Sequence, residues 1–404
     1  MSLTLVGIGC GTAATLTEEG REALLAADCL IGAARLLESL PEGCTPCRKV
    51  AVRTGEILAL LDETGAERPC VLFSGDTGFH SGAVGLLAAL KAAGKEARVI
   101  PGISSVQLLA ARLGRPWQDW KLCSAHGAAC DPVSAVMEGR PAFFLTGGTD
   151  GPGKLCHYLT EAGLGALPVT VGERLSYDDE RIVTATAAEL AERSFAALSV
   201  VLAEAAPIPQ PRRTPGFDDS AFLRGEVPMT KQEVRSAVLG KLALRPTDTV
   251  WDVGAGTGSV SVEMALAAHQ GRVFAVECRE EACDLVRQNR ERFGAWNLTV
   301  VPGTAPEALA DLPAPDAVFV GGSKGHLEEI VSLVLGKNPH ARICVSAIAL
   351  ETLASATAAL TAAGLEAEVC QIAVSRTRPA GKLHLLMAAN PVFLICARQT
   401  GGEP

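Results

Sequence analysis

The chain has 404 residues, 48% of them apolar and only 4% aromatic, with a formal net charge of −9. That length exceeds one ordinary hydrophobic core and predicts at least two domains, and abundant Gly and Ala suit α/β layers with close helix-on-sheet packing. The acidic balance argues against nucleic acid or an anionic membrane as the main partner, and no run of about 18 apolar residues offers a membrane span.

From the N-terminus, an apolar strand over 3–8 runs into G-I-G-C-G at 7–11, followed by a helix from Leu16. The start M-S-L-T-L-V-G-I-G lacks a basic region followed by an apolar one, so no signal peptide is expected and a cytoplasmic location is. V-L-F-S-G-D-T-G-F-H (71–80), V-I-P-G-I-S-S (99–105) and C-S-A-H-G (123–127) come next. The runs at 7–11, 71–80 and 99–105 each end a strand in glycine plus small polar residues, and three such loops on parallel strands would converge on one cleft. Thirteen cysteines lie scattered, mostly inside apolar runs, and read as buried thiols of a reducing compartment. Cys44 and Cys47 form one C-x-x-C without a second ligand pair at suitable spacing, so no metal site is expected.

The run A-P-I-P-Q-P-R-R-T-P-G at 206–216 holds four prolines and reads as a semi-rigid linker. The expected domains are 1–206 and 217–404, with 207–216 between them. In the second, Thr230-Lys-Gln-Glu233 is a capping box opening a helix through Leu242. Strands are expected near 248–253, 272–277, 297–301, 316–320 and 341–347 with helices between, then near 367–375 and 391–397 without a long helix. Seven strands with an antiparallel last pairing make a doubly wound, Rossmann-like sheet.

V-W-D-V-G-A-G-T-G-S at 250–259 is the most specific segment. A strand ends at Asp252, and Gly254, Ala255, Gly256, Thr257 and Gly258 form a turn that lets backbone approach a ligand ahead of a helix N-terminus. The spacing is G-x-G-x-G rather than the dinucleotide G-x-G-x-x-G, which favours S-adenosylmethionine over NAD. Glu277, ending the next apolar run, can accept hydrogen bonds from ribose hydroxyls. A tight turn with chance glycines is the plainer reading. Asn390-Pro-Val-Phe393 is reminiscent of an amine-methylation motif but sits after the last crossover, and is read as structural.

On these residues the N-terminal half resembles the tetrapyrrole methylase family: G-I-G-C-G, F-S-G-D-T-G-F-H and P-G-I-S-S match its three signatures. The C-terminal half resembles the decarboxylating precorrin methyltransferases through P-M-T-K-Q-E-V-R, W-D-V-G-A-G-T-G-S-V-S-V-E, the A-P-E near 305, D-A-V-F-V-G-G-S and N-P-V-F. Cys10 and Thr77 replace prolines usual in the first family, and Thr304 replaces a frequent aspartate of the second. The resemblance implies a fold of two α/β subdomains in the first half and a seven-stranded methyltransferase domain in the second. It implies a cobalamin-pathway enzyme that methylates a corrin precursor, metal-free or cobalt-bound, at carbons 5 and 15 with S-adenosylmethionine and removes CO2 from a ring acetate. A two-headed methyltransferase on another small molecule or RNA, or a tetrapyrrole carrier, is the alternative.

Carried over by position, the cofactor contacts would be Ser74, Gly75, Asp76, Ser104 and Ser105 in the first half. In the second they would be Thr230, Gly254 to Gly258, Glu277 and Ala305. Ser104 and Ser105 could equally cap a helix, and Thr230 could be only an N-cap. The polycarboxylate substrate would need local cations: Arg224, Lys231 and Arg235, or Arg376, Arg378 and Lys382, with His126 as a further substrate contact. An ordinary solvated surface is the plainer reading of these charges. No catalytic acid–base pair is expected, because displacement at a sulfonium needs alignment above all. A homo-oligomer is expected.

Overall fold

The computed structural model describes residues 2–125, 130–147, 151–207 and 215–398. His126 and most of the proline linker, 208–214, lie outside the described residues. The chain divides into two compact units. The first holds 1–130, 140–157 and 166–204, and the second holds 131–139, 158–165 and 205–404.

The first unit contains two five-stranded sheets. Thr4–Gly7 (β1), Cys29–Gly32 (β2), Arg48–Val50 (β3), Pro69–Phe73 (β4) and Arg98–Ile100 (β5) form an all-parallel sheet in the order β3-β2-β4-β1-β5. The central strands β2, β4 and β1 bury both faces, with Leu5, Ile31 and Val71 in one core and Val6, Leu30 and Leu72 in the other. Such two-sided burial explains why these strands read as continuous apolar runs. The neighbours β4, β1 and β5 put the loops at 74–80, 8–11 and 101–105 side by side. Lys121–Ser124 (β6), Ala142–Leu145 (β7), Pro168–Glu173 (β8), Arg181–Thr186 (β9) and Ser199–Ala203 (β10) form the second sheet, ordered β6-β7-β10-β8-β9 and mostly antiparallel.

In the second unit, Thr249–Val253 (β11), Arg272–Glu277 (β12), Leu298–Pro302 (β13), Ala317–Val320 (β14), Arg342–Ala347 (β15), Glu366–Ile372 (β16) and Val392–Arg398 belong to one seven-stranded sheet. Between the last two lies a hairpin of Ser375–Ala380 (β17) and Leu383–Ala388 (β18), which makes Val392–Arg398 β19. The order is β13-β12-β11-β14-β15-β19-β16, with β19 antiparallel to both its neighbours. Strand alternation sends Val250, Ala275 and Phe319 into the core on one face and Trp251, Val276 and Val318 into the core on the other. The crossover reverses direction between β11 and β14, where open α/β sheets form a ligand crevice at the carboxyl ends of their strands. Among the described residues no helix is long and apolar enough to cross a membrane.

Two sequence expectations change here. The helix Gln232–Leu242 begins one turn position later than the capping box implies: Lys231 is its N-cap, with no side-chain cap bond. Glu233 is engaged instead by Arg376, at 2.6 Å. Arg235, expected to meet substrate, has no exposed surface. Its guanidinium donates to Glu263 and Asp219, each at 2.8 Å, and to the carbonyls of Thr230 and Phe217, while Phe222 lies 4.7 Å below it. Glu263 is itself buried and accepts from the N–H groups of Gly216 and Phe217. This arginine pins the segment at 216–222 onto the sheet domain and cannot reach a substrate. Arg235→Met would leave Glu263 a buried charge without its cationic partner and should destabilise the second unit by about 3–5 kcal/mol. Chemical denaturation of the full chain checks this, and a loss below about 1 kcal/mol would contradict the buried-pair assignment.

Candidate functional site

In the first unit the three glycine loops meet backbone against backbone. The N–H of Gly75 donates to the carbonyl of Gly9 at 2.7 Å, and that of Gly9 returns to Gly75 at 3.2 Å. A Cβ on Gly7 would lie 2.7 Å from both the Gly75 oxygen and the Gly102 nitrogen, and one on Gly102 only 2.2 Å from the Gly75 oxygen. No side chain fits between these strand ends. Asp76 locks the junction, its carboxylate accepting from Gly78 N–H at 2.8 Å and Gly102 N–H at 3.2 Å. Beside this junction opens a cavity of about 620 Å³, and Ser74, Gly75, Asp76, Ser104 and Ser105 all line it.

Three of these five side chains are already committed, the Ser74 hydroxyl accepting from Arg35 at 3.2 Å. Asp76 braces the loops, and the Ser104 hydroxyl accepts from Val106 N–H at 3.2 Å as the cap of the helix Ser105–Leu113. Gln107 completes that capping box by accepting from Ser104 N–H. Arg35 and His80 are among the lining residues that the sequence reading did not single out. Arg35 follows β2, and His80 is held at φ 47°, a left-handed conformation unusual for a residue with a Cβ. Cys10 also lines the cavity, and burial pushes its thiol up to about 11, so it stays protonated at neutral pH.

In the second unit a cavity of about 570 Å³ opens at the carboxyl ends of β11, β12 and β14. Thr230, Lys231, Gly254, Ala255, Gly256, Glu277 and Ala305 line it. Thr257 and Gly258 do not; both are buried at the start of the helix Ser259–Ala267. Gly254 is forced to lack a side chain, since a Cβ there would stand 2.8 Å from the nitrogen of Gly322. The loop hangs from β12 through Gly254 and Ala255 N–H bonds to the Val276 carbonyl, at 2.9 and 3.1 Å.

Glu277 fixes the rest. One carboxylate oxygen accepts from Gly256 N–H at 2.9 Å; the other accepts from Cys278 and Arg279 N–H at 2.9 and 3.0 Å. Burial works to raise its pKa, but these backbone donors outweigh it and hold the carboxyl below its ordinary value. An ionised acceptor therefore stands at the cavity wall, with lone pairs left for a hydroxyl donor. An adenosine-containing group fits this arrangement: a tight glycine turn, a helix N-terminus behind it and an anionic acceptor one strand away.

Asp252 behaves in the opposite way. It faces the helix Ser259–Ala267, fully buried, where Ser261 donates to one carboxylate oxygen and the other has no partner among the described residues. Burial raises its pKa most, the Ser261 bond opposes that and the Glu277 charge adds to it, leaving the group at about 7.

Of the proposed substrate contacts, Lys231 lines this cavity, 3.9 Å from Asp219. Arg376 is exposed but spans Glu233 and Asp219. Arg378 and Lys382 lie on the exposed β17–β18 hairpin, and Arg224 is exposed; none of them lines the cavity. Asn390, read as structural from sequence, does line it, as do Arg279, Lys324 and Cys278. Lys324 has φ 49° in the G-G-S-K turn after β14. Nothing in local sequence pattern marks that lysine, because only the β11–β14 neighbourhood brings it over the glycine loop. Among the described residues no metal-binding cluster of His, Cys, Asp or Glu is present.

Because the Asp252 pKa lies above its ordinary 3.8, the folded chain keeps a proton that the unfolded chain has lost between pH 3.8 and about 7. The stability this site contributes is complete below that window and is lost as pH rises through about 7. Asp252→Asn removes the dependence. The variant's stability relative to the parent chain should climb by about 1.4 kcal/mol per pH unit across the window and level off above it. Paired urea titrations from pH 4.5 to 8.5 check this; a difference independent of pH would contradict the neutral buried carboxyl.

Residues 2–191 match the family described as Tetrapyrrole (Corrin/Porphyrin) Methylases, and residues 221–399 match the Precorrin methyltransferase domain. The chain is 36% identical over 332 residues to the precorrin-6Y C(5,15)-methyltransferase [decarboxylating] of a Sinorhizobium species, covering 79% of this chain and 78% of that one. It is 41% identical over 184 residues to the cobalt-precorrin-6B C(15)-methyltransferase (decarboxylating) of Salmonella typhimurium, covering 45% of this chain and 95% of that one. Among solved structures, a precorrin-6Y C5,15-methyltransferase from Geobacter metallireducens is 38% identical, with a TM-score of 0.44, covering 46% of this chain and 98% of that one.

Proposed function

The chain belongs to the precorrin-6Y C(5,15)-methyltransferase (decarboxylating) family, and from that premise we propose that it methylates a corrin precursor at carbons 5 and 15 and decarboxylates it, as a step of cobalamin biosynthesis. The observation that carries this reading is a pair of ligand-sized cavities, each at the carboxyl ends of parallel strands, on one chain. The two carbons lie on opposite sides of the macrocycle, so one fixed site would need the ring turned over between transfers. Two sites remove that need. The N-terminal tetrapyrrole methylase domain takes carbon 5; the C-terminal Rossmann-like domain takes carbon 15 and the ring acetate.

S-adenosylmethionine, when bound, supplies an electrophilic methyl group at each site. Glu277 would hold the ribose in the second domain, with Gly254, Ala255 and Gly256 giving backbone clearance and Ala305 packing nearby. Ser74, Gly75 and Ser105 would face the cofactor in the first domain, with Asp76 and Ser104 keeping that wall in shape. The protein's contribution to methyl transfer is alignment and exclusion of water, since the electron-rich meso carbon is the nucleophile. Loss of CO2 sends an electron pair into the conjugated ring, so the macrocycle is its own electron sink. Lys231, Arg279 and Lys324 supply the positive charge that a polycarboxylate needs in a chain of net charge −9. The β17–β18 hairpin turns Leu383, Leu385, Leu386 and Met387 to solvent, and a second copy covering it would make the enzyme a homo-oligomer.

Glu277→Ala should weaken S-adenosylmethionine binding at the C-terminal site about tenfold or more, the loss of about 1.5–3 kcal/mol for a charge-assisted bond. The N-terminal site should be spared. Calorimetric titration reads both sites, and unchanged affinity at the second would refute the ribose role.

The division of labour has its own test. Gly75→Val with Asp76→Ala should close the first site, and the product that accumulates should be decarboxylated and singly methylated. Gly256→Val should give neither CO2 nor the carbon-15 methyl. Mass spectrometry, with labelled methyl groups located by NMR, identifies the products. Normal formation of the doubly methylated product by either variant would contradict the assignment.

A further inference from the structure

The N-terminal cavity carries charge in an unusual way. Arg35, in the helix Ala34–Glu38, is the one Lys or Arg among its described lining residues, and Asp76 is the one acid. The Asp76 carboxylate is occupied by two backbone N–H groups. Among the described residues no carboxylate lies within ion-pair distance of Arg35; its partners are two neutral hydroxyls. Nη1 donates to the Tyr177 hydroxyl and Nη2 to the Ser74 hydroxyl, both at 3.2 Å.

An arginine left loose on a surface has no need of such bracing. Here Ser74 comes from the loop after β4 and Tyr177 from the turn after β8, so two distant segments hold the guanidinium. Arg174 stacks over the Tyr177 ring at 5.2 Å and fixes it further. The last glycine of the first loop completes the arrangement. A Cβ on Gly11 would fall 2.2 Å from the Tyr177 hydroxyl and 3.1 Å from Arg35 Nη1, and the backbone there has φ 103°. The positive φ favours glycine here, and its missing Cβ leaves the pair undisturbed. Next to it the cavity offers exposed apolar surface, Val52 and Leu198.

We propose that Arg35 is the carboxylate anchor of the N-terminal cavity, taking an acidic side chain of the macrocycle on the guanidinium edge that Tyr177 and Ser74 leave free. A planar guanidinium matches a carboxylate in two-point geometry, and with no counter-ion among the described residues its charge is available to the ligand. The apolar surface beside it suits the face of a ring whose rim carries acids. This assignment rests on the tetrapyrrole reading and adds the group that orients the ring in the first site.

The test uses the full chain, with N-terminal methyl transfer followed by product mass and label position. Arg35→Gln keeps donors for the two hydroxyls but removes the charge; Arg35→Lys keeps the charge but loses the fork. Arg35→Gln should raise the KM for the tetrapyrrole about tenfold or more, leave the KM for S-adenosylmethionine within about twofold, and flatten the salt dependence of the tetrapyrrole KM. Arg35→Lys should recover part of the loss. An unchanged tetrapyrrole KM in Arg35→Gln, with the parent chain active, overturns this inference alone. A rise in the S-adenosylmethionine KM instead assigns Arg35 to the cofactor's own carboxylate and also overturns it. A parent chain that methylates no tetrapyrrole overturns the functional reading together with the inference.

Discussion

Both candidate sites depend on backbone meeting backbone at the ends of parallel strands. In the first unit Gly7, Gly75 and Gly102 approach so closely that a single Cβ would clash, and in the second Gly254 stands against Gly322 in the same manner. The consequence is steric before it is chemical. Where side chains are absent, adjacent loops close tightly, and a cavity opens beside each junction. The remaining site residues are arranged around these junctions: Asp76 and Glu277 each fasten one with carboxylate-to-N–H bonds.

Three carboxylates in the second unit show how burial alone does not decide charge. Glu263 is buried and compensated by Arg235 and two backbone donors. Glu277 is nearly as buried, yet its three backbone donors keep it ionised. Asp252 has only the Ser261 hydroxyl, and burial wins. The neighbouring pair Asp252 and Glu277 thus separates into a carboxyl that keeps its proton until pH approaches about 7 and a carboxylate ionised below its ordinary range. Of the two only Glu277 lines the cavity, and it is the one held ionised.

Much of this was legible in the chain. Six strands of the C-terminal sheet fall within one residue of their expected positions, because apolar runs bounded by glycine and helical stretches leave little ambiguity; the one expected near 367–375 ends earlier, at Ile372. The loops at 7–11, 71–80 and 99–105 meet as expected because β4, β1 and β5 are neighbours. The failures share a cause, namely that partners distant in sequence decide the outcome. Arg235 looks like a surface cation on an exposed helix start until Glu263, 28 positions on, claims it. Thr230 satisfies the capping pattern, but Arg376 on the hairpin takes the Glu233 side chain the box would need. The hairpin itself was hidden because L-H-L-L-M lacks the alternation of a half-buried strand; all twelve of its strand residues are exposed. Arg35 carries no motif, and its place in the cavity follows from Tyr177, 142 residues away.

A chain with two independent methyl-transfer sites must bind two cofactors, and that count separates the proposed enzyme from both a single-site methyltransferase and a carrier. Equilibrium dialysis of the full chain with labelled S-adenosylmethionine measures it directly. Two molecules per chain, falling to one in Gly256→Val and to one in the Gly75→Val, Asp76→Ala variant, is the expected result. One molecule or none bound by the unaltered chain at saturation would contradict the two-site mechanism.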